Sequence, residues 1–329
     1  MNPARSRTIL ASILFSLLLL LISLTTLALP PEKWAVPSIP RPQLCSSTKD
    51  IRPDLARAEH LWTQSVKDRK QMAIGSGNAR FPDGFIYPYN VWDFVRPAFY
   101  CPYDLERMGK LGDGGKWVCG MGRYEAVAAP VATGARGRPL VVYSFGVSDD
   151  SSFEAALLRR TNAEIWGYDF SVQGWAKDVP AEEQGRRAHF EKWKLGAKTD
   201  EKASPQVWAV RDLMERNGHA FIDVMKIDVE GAEFEVLDAL MEAVEAAAGD
   251  ELPVLPVGQM LIEIHLLDGG GPKTPGSLQE FLKWWERLEA LGMRPVFNEH
   301  NWIGDAGPGK PRFIEYTLIN VRNEKNRLL

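Results

Sequence analysis

The chain has 329 residues, of which 45% are hydrophobic and 25% are charged, and its formal net charge at pH 7 is −4. A chain of this length and apolar content can bury a sizeable core, which excludes a wholly disordered protein. The slightly acidic balance provides no overall field that would attract a polyanion, so nucleic acid is not an expected partner.

An uncharged apolar run occupies residues 8–29, directly after Arg5 and Arg7. A helix that rises about 1.5 Å per residue crosses a hydrocarbon core over this length, so the run predicts a transmembrane signal anchor. The positive-inside rule places residues 1–7 in the cytosol as a short tail and the rest of the chain in a lumen. We therefore predict a single-pass type II membrane protein of the Golgi or endoplasmic reticulum, with a cleaved signal peptide as the alternative.

The residues after the apolar run predict a stem and then a folded domain. Residues 30–49 are rich in proline, which favours an extended, semi-rigid segment. We expect a helix and an aromatic loop region over residues 50–100 to pack on a catalytic domain over residues 101–329. Of the three cysteines, Cys101 and Cys119 flank a turn-rich segment and either form a disulfide or stay free, and Cys45 is left over.

Hydrophobic periodicity predicts alternating strands and helices along most of the chain. A helical pattern over residues 50–72 comes first, and an aromatic-rich ordered loop follows over residues 81–103. The predicted strands then cover residues 139–145, 163–169, 189–195, 221–228, 259–266, 294–298 and 313–321. The predicted helices between them cover residues 152–160, 205–217 with Ser204 as the N-cap, 231–248 and 278–291. Strands and helices that alternate in this way predict one doubly wound α/β sheet.

A glycine and three carboxylates come directly after predicted parallel strands. Gly146 ends the first strand, Asp169 follows the second about 20 residues later, and Asp228 and Glu230 follow the fourth. Ligands of open α/β sheets bind outside the carboxyl ends of the strands, and a carboxylate at the offset of Asp169 meets ribose hydroxyls in Rossmann-type sheets. The sequence therefore predicts an enzyme site at this edge, although the G-x-G-x-x-G motif of dinucleotide-binding proteins is missing.

Three motifs resemble a known family. Residues 226–237 (KIDVEGAEFEVL) are similar to the signature of FkbM-type S-adenosylmethionine-dependent methyltransferases. Residues 144–154 (SFGVSDDSSFE) and 113–119 (DGGKWVC) resemble a eukaryotic group of membrane-anchored methyltransferase-like proteins. The resemblance covers roughly residues 101–320. It implies a Rossmann-like class I methyltransferase sheet of seven strands, the last antiparallel, with S-adenosyl-L-methionine as the cofactor.

The resemblance also implies which residues contact the cofactor. Phe145, Gly146 and Val147 would approach its methionine part, and Asp169 would hold its ribose. Asp228 and Glu230 would border the methyl donor. The first loop has one glycine where the wider superfamily has two or three, so these contacts depart from the common pattern.

Methyl transfer to a hydroxyl requires removal of its proton, and we predict O-methylation of an acceptor that is a sugar, a lipid or a peptide. The candidate bases are Asp228, His265 at the end of the fifth predicted strand and His300 just after the sixth. A divalent cation held by Asp228, Glu263 and His265 is an alternative way to activate the hydroxyl, but their spacing is not that of a metal motif and no metal is predicted.

Two other functions remain open from the residues. Asp149 and Asp150 are adjacent carboxylates after a strand, and in a lumenal type II glycosyltransferase such carboxylates hold a cation that bridges a nucleotide-sugar pyrophosphate. The sparse glycine loop is also compatible with a catalytically inactive domain that keeps the fold, because fold alone does not establish activity.

Overall fold

A computed structural model describes residues 50–75, 81–82, 89–112, 114–128, 138–267, 273–301 and 312–329. The predicted cytosolic tail, membrane anchor and stem over residues 1–49 lie outside these residues, as does Cys45. Within the described ranges, no helix is both long enough and apolar enough to cross a bilayer.

The described chain forms eleven strands and six α-helices. The strands are β1 (Leu105–Met108), β2 (Lys116–Cys119), β3 (Val141–Phe145), β4 (Glu164–Tyr168), β5 (Ala188–Glu191), β6 (Lys194–Leu195), β7 (Val207–Trp208), β8 (Ile222–Ile227), β9 (Val257–His265), β10 (Met293–His300) and β11 (Phe313–Asn320). The helices are α1 (Arg52–Gly75), α2 (Met121–Ala128), α3 (Ser152–Arg160), α4 (Val210–Arg216), α5 (Glu233–Ala248) and α6 (Leu278–Ala290), and a 3₁₀ helix covers Val91–Val95.

Seven strands form one mixed sheet in the order β10-β11-β9-β8-β3-β4-β5. The neighbours from β9 to β5 are parallel, whereas β11 runs antiparallel to both β9 and β10. This confirms the predicted α/β sheet of seven strands with the last one antiparallel. The remaining strands form two small sheets, the antiparallel hairpin β1–β2 and the parallel pair β6–β7.

The central strands are buried on both faces, which the near-continuous apolar run over residues 139–145 predicts for the first of them. Every residue of β8 and β9 is buried. Successive residues of a strand point to opposite faces, and Val142 and Tyr143 accordingly belong to different hydrophobic clusters. One cluster includes apolar side chains of α5 and α6, and the other includes those of α3. The carboxyl ends of the parallel strands are left uncovered by these helices at one edge.

Helix α1, predicted over residues 50–72, packs against α6 and β10 through ion pairs and a hydrogen bond of largely buried side chains. Arg69 forms an ion pair with Glu289 at 2.5 Å, and both side chains are at most 5% exposed. The indole of Trp62 donates to the same carboxylate at 2.9 Å. Arg294 pairs with Glu59 and lies over the ring of Trp62, 3.5 Å from its centroid.

Two predictions of local structure were wrong. The helix predicted over residues 205–217 covers only Val210–Arg216, and its N-cap is Ala209 instead of Ser204. Val207–Trp208 is a strand because it pairs with Lys194–Leu195, a tertiary contact that overrides the helical spacing of its apolar residues. The strand predicted over residues 189–195 is divided for the same reason into β5 and β6.

The hairpin β1–β2 was not predicted, because its two short strands have no clear period and are joined by a glycine-rich turn. A disulfide links Cys101, just before the hairpin, to Cys119 at the end of β2, with 5.8 Å between the two Cα atoms. The sequence left open whether Cys101 and Cys119 form a disulfide or stay free, and the structure has the disulfide.

Candidate active site

A cavity of about 950 Å³ opens at the carboxyl edge of the parallel strands. Six of the predicted site residues are at or next to the ends of β3, β4, β8, β9 and β10 and line it, namely Gly146, Asp169, Asp228, Glu230, His265 and His300. The fold thus brings together side chains that are up to about 150 residues apart in the sequence, at the edge where open α/β sheets bind their ligands.

Gly146 is held where the loop after β3 passes the end of β8. Its φ is +75°, and a Cβ at this position would lie 1.7 Å from the carbonyl oxygen of Asp228. The backbone N–H of Gly146 donates to the carbonyl of Tyr168, and the Lys226 ammonium donates to the carbonyl of Gly146. Only glycine fits this conformation and this close approach.

Phe145 and Val147, the neighbours of Gly146, do not present their side chains to the cavity. Both are buried, with at most 1% of their surface exposed. The carbonyl of Phe145 accepts the backbone N–H of Asp228, which ties the ends of β3 and β8 together. These two residues shape the loop through their backbone, and their predicted contact with the cofactor stays a prediction.

The Asp169 carboxylate stabilises the loop after β3 through hydrogen bonds. Its Oδ2 accepts the backbone N–H groups of Val147 at 2.9 Å and Ser148 at 2.8 Å. Its Oδ1 accepts the backbone N–H and the hydroxyl of Ser171 at 2.7 and 2.6 Å. Burial alone would raise the pKa of Asp169, but these hydrogen bonds hold that pKa below its ordinary value. Asp169 is thus an ionised carboxylate at the rim of the cavity, and its predicted contact with a ribose stays a prediction.

An ionisable cluster occupies the cavity wall beside β8, β9 and β11. We define the carboxylate cluster as Asp228, Glu263 and Glu315, all of which line the cavity. Glu263 and Glu315 are directly opposite each other on neighbouring antiparallel strands. The Lys116 ammonium contacts Asp228 Oδ2 at 3.1 Å and also the Glu315 carboxylate. Two of the three carboxylates therefore contact Lys116 directly, and Glu263 lies close enough to be influenced by its charge.

His265 is oriented by a buried carboxylate. Its Nδ1 lies 2.8 Å from Glu233 Oε1, and an ionised carboxylate only accepts, so Nδ1 carries a proton. Its Nε2 points toward Glu230 at 3.6 Å and Asp228 at 3.9 Å. Burial lowers the pKa of His265, but the hydrogen bond and charge of Glu233, with Glu263 and Asp228, raise it to about 9. The imidazole is thus a cation at neutral pH, which makes it a poor proton acceptor there.

Glu263, unlike His265, has a pKa close to neutral pH. It is 3% exposed, and burial, followed by the charges of Asp228 and Glu315, raises the pKa of Glu263 to about 7. Its Oε1 accepts a hydrogen bond from the Asn301 amide at 2.8 Å. Burial also raises the pKa of Asp228, but Lys116, Lys226 and His265 outweigh it and keep this pKa below its usual range. Burial raises the pKa of Glu315 as well, and Glu263, at about 7, is the member of the cluster that we consider for taking up a proton near neutral pH.

Sequence reasoning considered Glu263 only as a cation ligand. It assigned no role to Lys116 and Glu233, although both lie within the quoted motifs, and it did not consider Glu315. The position of Glu263, two residues before His265 on the same face of a strand, is a signal that could have identified it. Glu315 becomes visible only through the antiparallel register of β9 and β11. The ligand atoms of Asp228, Glu263 and His265 lie within 4.8 Å of one another, which is close enough for the divalent cation considered as an alternative.

Aromatic side chains form the other wall of the cavity. Tyr168, Phe170 and Trp193 line it, and the rings of Tyr168 and Trp193 stack with 6.0 Å between their centroids. Trp193 in turn stacks on Trp208 at 4.7 Å. This wall offers flat faces suitable for a planar ring.

The adjacent aspartates that suggested a nucleotide-sugar site are used elsewhere. Asp150 Oδ1 accepts the backbone N–H of Ser152 at the start of α3, and Asp150 pairs with Lys110 at 3.3 Å. Neither Asp149 nor Asp150 lines the described cavity. The described cavity therefore gives no support to the alternative of a glycosyltransferase based on these two residues.

Comparison with known proteins identifies a family. Residues 61–300, more than half of the chain, match the model of a family described as a methyltransferase domain. Comparison with curated proteins finds no match.

Several solved structures are similar to the chain at low identity. The fibrillarin pre-rRNA processing protein of Methanococcus jannaschii is 16% identical over 66% of this chain and 83% of its own, with a TM-score of 0.33. A putative S-adenosylmethionine dependent methyltransferase from Listeria monocytogenes is 7% identical over 56% of this chain and 92% of its own, with a TM-score of 0.31. A putative O-methyltransferase from Nostoc punctiforme is 14% identical over 80% and 71%, with a TM-score of 0.26. These structural similarities are too weak to decide function.

Proposed function

The chain belongs to the family of methyltransferase domains and is an S-adenosylmethionine-dependent methyltransferase, and we propose that it transfers the methyl group to a hydroxyl oxygen of its acceptor. The observation that carries this proposal is Glu263, a buried carboxyl group whose pKa of about 7 suits a general base, in the wall of the cavity.

The residues around the cavity suit the cofactor. S-adenosylmethionine carries a positive sulfonium and an ammonium group, and carboxylates outnumber lysine and arginine side chains along the cavity wall. Its adenine ring requires flat apolar faces, which Tyr168, Phe170 and Trp193 provide. The predicted cofactor residues that line the cavity and would hold it are Gly146, Asp169, Asp228 and Glu230.

The cofactor and the protein would supply different parts of the reaction. The bound cofactor supplies a methyl group already activated by a sulfonium, so the protein has to align the acceptor oxygen and remove its proton. The carboxylate form of Glu263 accepts this proton as the new bond to oxygen forms. His265, already protonated at neutral pH, instead contributes positive charge and keeps its orientation through Glu233.

A transfer assay tests this proposal. The full-length protein is incubated with S-adenosylmethionine labelled with tritium in its methyl group and with a panel of defined acceptors: free monosaccharides, a hydroxyl-bearing lipid and a peptide with serine and tyrosine. We expect label that stays on a hydroxyl acceptor after mild alkali, because methyl ethers resist it. A matched peptide whose lysine is the sole nucleophile is the comparison.

Two results would contradict O-methylation. Label confined to the lysine peptide would indicate transfer to nitrogen. Label released as methanol by alkali would indicate methyl esters of carboxyl groups.

We further propose that the enzyme is a single-pass type II membrane protein whose domain faces the lumen of the Golgi or endoplasmic reticulum, within the FkbM-like, membrane-anchored group. The apolar run of residues 8–29 and the three sequence motifs support this placement. The Cys101–Cys119 disulfide also supports it, because disulfides persist in oxidising compartments. Protease protection in sealed microsomes tests the topology, and a domain digested without detergent would place it on the cytosolic side.

A further inference from the structure

The peptide group between Gly146 and Val147 is held from both sides by charged side chains. Its carbonyl oxygen accepts a hydrogen bond from the Lys226 ammonium, and its N–H donates to Asp169 Oδ2 at 2.9 Å. A trans peptide is planar, so these two groups point in opposite directions, one toward a cation and the other toward an anion. We propose that Lys226, with Glu154 as its counter-ion, is a positioning residue that orients this peptide and thereby sets the affinity for the cofactor. The inference does not depend on which atom of the acceptor is methylated.

The register of the sheet brings Lys226 to this peptide. Lys226 on β8 is paired with Ser144 on β3, and paired residues of neighbouring strands project from the same face. Val142 and Val224, two residues earlier on these strands, belong to the hydrophobic cluster that includes α3, so this is the face that α3 covers. The Lys226 side chain is 5% exposed and is not among the residues that line the described cavity. Any effect of its hydrogen bond on a ligand must therefore pass through the loop.

Glu154, in the first turn of α3, supplies the opposite charge. Its side chain is fully buried, and its Oε1 accepts the Ser144 hydroxyl and lies 3.7 Å from the Lys226 ammonium. Among the described residues, its Oε2 has no hydrogen-bond partner. Because desolvation of two charges offsets their attraction, a buried ion pair is often no more stable than an apolar replacement. Stability of the fold therefore does not explain the pair, whereas the need for an ammonium group at the Gly146 carbonyl does.

The clamped peptide lies between two residues that line the cavity. Gly146 and Ser148 both line it, and both have a positive φ, of 75° and 53°. The Ser148 N–H also donates to Asp169 Oδ2, at 2.8 Å. Rotation of the peptide would break the hydrogen bond to Lys226 at one end and the hydrogen bond to Asp169 at the other. Lys226 and Asp169 thus act on one backbone unit, and groups that share such a unit have non-additive effects.

The competing explanation is that Lys226 acts through its charge alone. Asp228, two residues later on the same strand end, lines the cavity, and a lysine nearby changes the electrostatic potential there. An effect of this kind would be independent of the Asp169 hydrogen bonds. The effects of replacing Lys226 and Asp169 would then multiply, which separates the two explanations.

A double-mutant cycle tests the inference. Binding of S-adenosylhomocysteine to the full-length protein is measured by isothermal titration calorimetry for the wild type, Lys226→Met, Asp169→Ala and the double variant. We expect Lys226→Met to weaken binding by about tenfold or more, because the peptide loses a charge-assisted hydrogen bond. The double variant should bind within about threefold of the weaker single variant, because the peptide is already released when either side chain is lost.

A second pair of variants separates positioning from folding. Lys226→Met leaves the buried Glu154 without its counter-ion, which lowers stability. Lys226→Met combined with Glu154→Gln removes both charges, so the free energy of unfolding, measured by urea denaturation without ligand, should recover toward the wild-type value. Affinity for S-adenosylhomocysteine should stay as weak as in Lys226→Met. If Lys226→Met does not fold, the cycle with Asp169→Ala is measured in the Glu154→Gln background.

Lys110→Met is the matched control. It removes a lysine that is 53% exposed and pairs with Asp150, just before α3, and it should leave the affinity for S-adenosylhomocysteine unchanged.

Two outcomes would overturn the inference. One is a cycle in which the effects of Lys226→Met and Asp169→Ala multiply, which would make the effect of Lys226 independent of the peptide. The other is a combined Lys226→Met and Glu154→Gln variant that regains affinity together with stability, which would make the ion pair purely structural. Since these measurements contain no acceptor, a failure of the proposed O-methylation would show only in the transfer assay.

Discussion

Asp169 Oδ2 lies 2.8 Å from the backbone nitrogen of Ser148, so the carboxylate after β4 fastens the loop after β3. Ser148 has a positive φ of 53°, a conformation that non-glycine residues rarely adopt without support. The residue predicted to bind a ribose is thus also the residue that shapes the glycine loop of the cofactor site.

This relationship predicts a large effect of replacing Asp169. Asp169→Ala should weaken binding of S-adenosylhomocysteine more than about tenfold, because the loop loses charge-assisted hydrogen bonds to two N–H groups. Isothermal titration calorimetry measures it. Ser171→Ala, which removes one hydroxyl donor to Asp169 and leaves the loop contacts intact, is the control and should change affinity far less. Unchanged binding in Asp169→Ala would remove this residue from the site.

Gly146 should tolerate no side chain. In Gly146→Ala the new Cβ would lie 1.7 Å from the carbonyl oxygen of Asp228, so the ends of β3 and β8 must separate. We expect a loss of more than about 3 kcal/mol in the free energy of unfolding, measured by urea denaturation, together with loss of S-adenosylhomocysteine binding. Gly174→Ala is the matched control, because no heavy atom lies within 4 Å of the position that its added methyl group would occupy. Equal stability of the two variants would show that the close approach at Gly146 is absent.

Glu263 should control the chemical step more than cofactor binding. Glu263→Gln keeps the shape but cannot accept a proton, so we expect kcat to fall by about 10²- to 10⁴-fold with S-adenosylhomocysteine affinity within about threefold. In the wild type, the pKa of about 7 means that Glu263 is protonated below that pH and cannot act as the base. In the wild type, kcat should therefore rise as the pH increases through about 7. This rise should be absent in Glu263→Gln. A pH profile that stays the same in Glu263→Gln would assign the base to another group.

The disulfide should stabilise the domain. Cys101 and Cys119 are separated by 18 positions in the sequence. Replacing both by serine removes the cross-link, and the gain in chain entropy of the unfolded state should lower the free energy of unfolding by about 3 kcal/mol. Urea denaturation of the full-length protein measures the change. Wild-type protein treated with a reductant should move in the same direction. A double variant as stable as the wild type would show that the hydrogen bonds of Gln259 and Thr317 are sufficient to hold β2.

The local pattern of the chain was enough to predict the central sheet and one edge of the site. Strands β3, β4, β8 and β9 are mainly apolar and end at, or directly before, a glycine or a charged residue, and burial on both faces of a parallel sheet favours such a composition. Since the carboxyl ends of parallel strands share an edge, Gly146, Asp169 and Asp228 could be placed together from sequence alone.

Other elements depended on partners that are distant in the sequence. Val207–Trp208 became a strand through pairing with Lys194–Leu195, although its apolar spacing is helical. Glu315 faces Glu263 because of the antiparallel register, in which a shift of one residue would turn it to the other face.

The amino-acid sequence by itself determined the α/β class, the order of its strands along the chain and which carboxylates lie at the strand ends, because these follow from periodicity and from the direction of parallel strands. The tertiary structure alone decided the protonation chemistry. The pKa of a carboxyl such as Glu263 depends on burial and on nearby charges. Lys116, which contacts Asp228 and Glu315 beside it, comes from a hairpin whose position no local pattern contains.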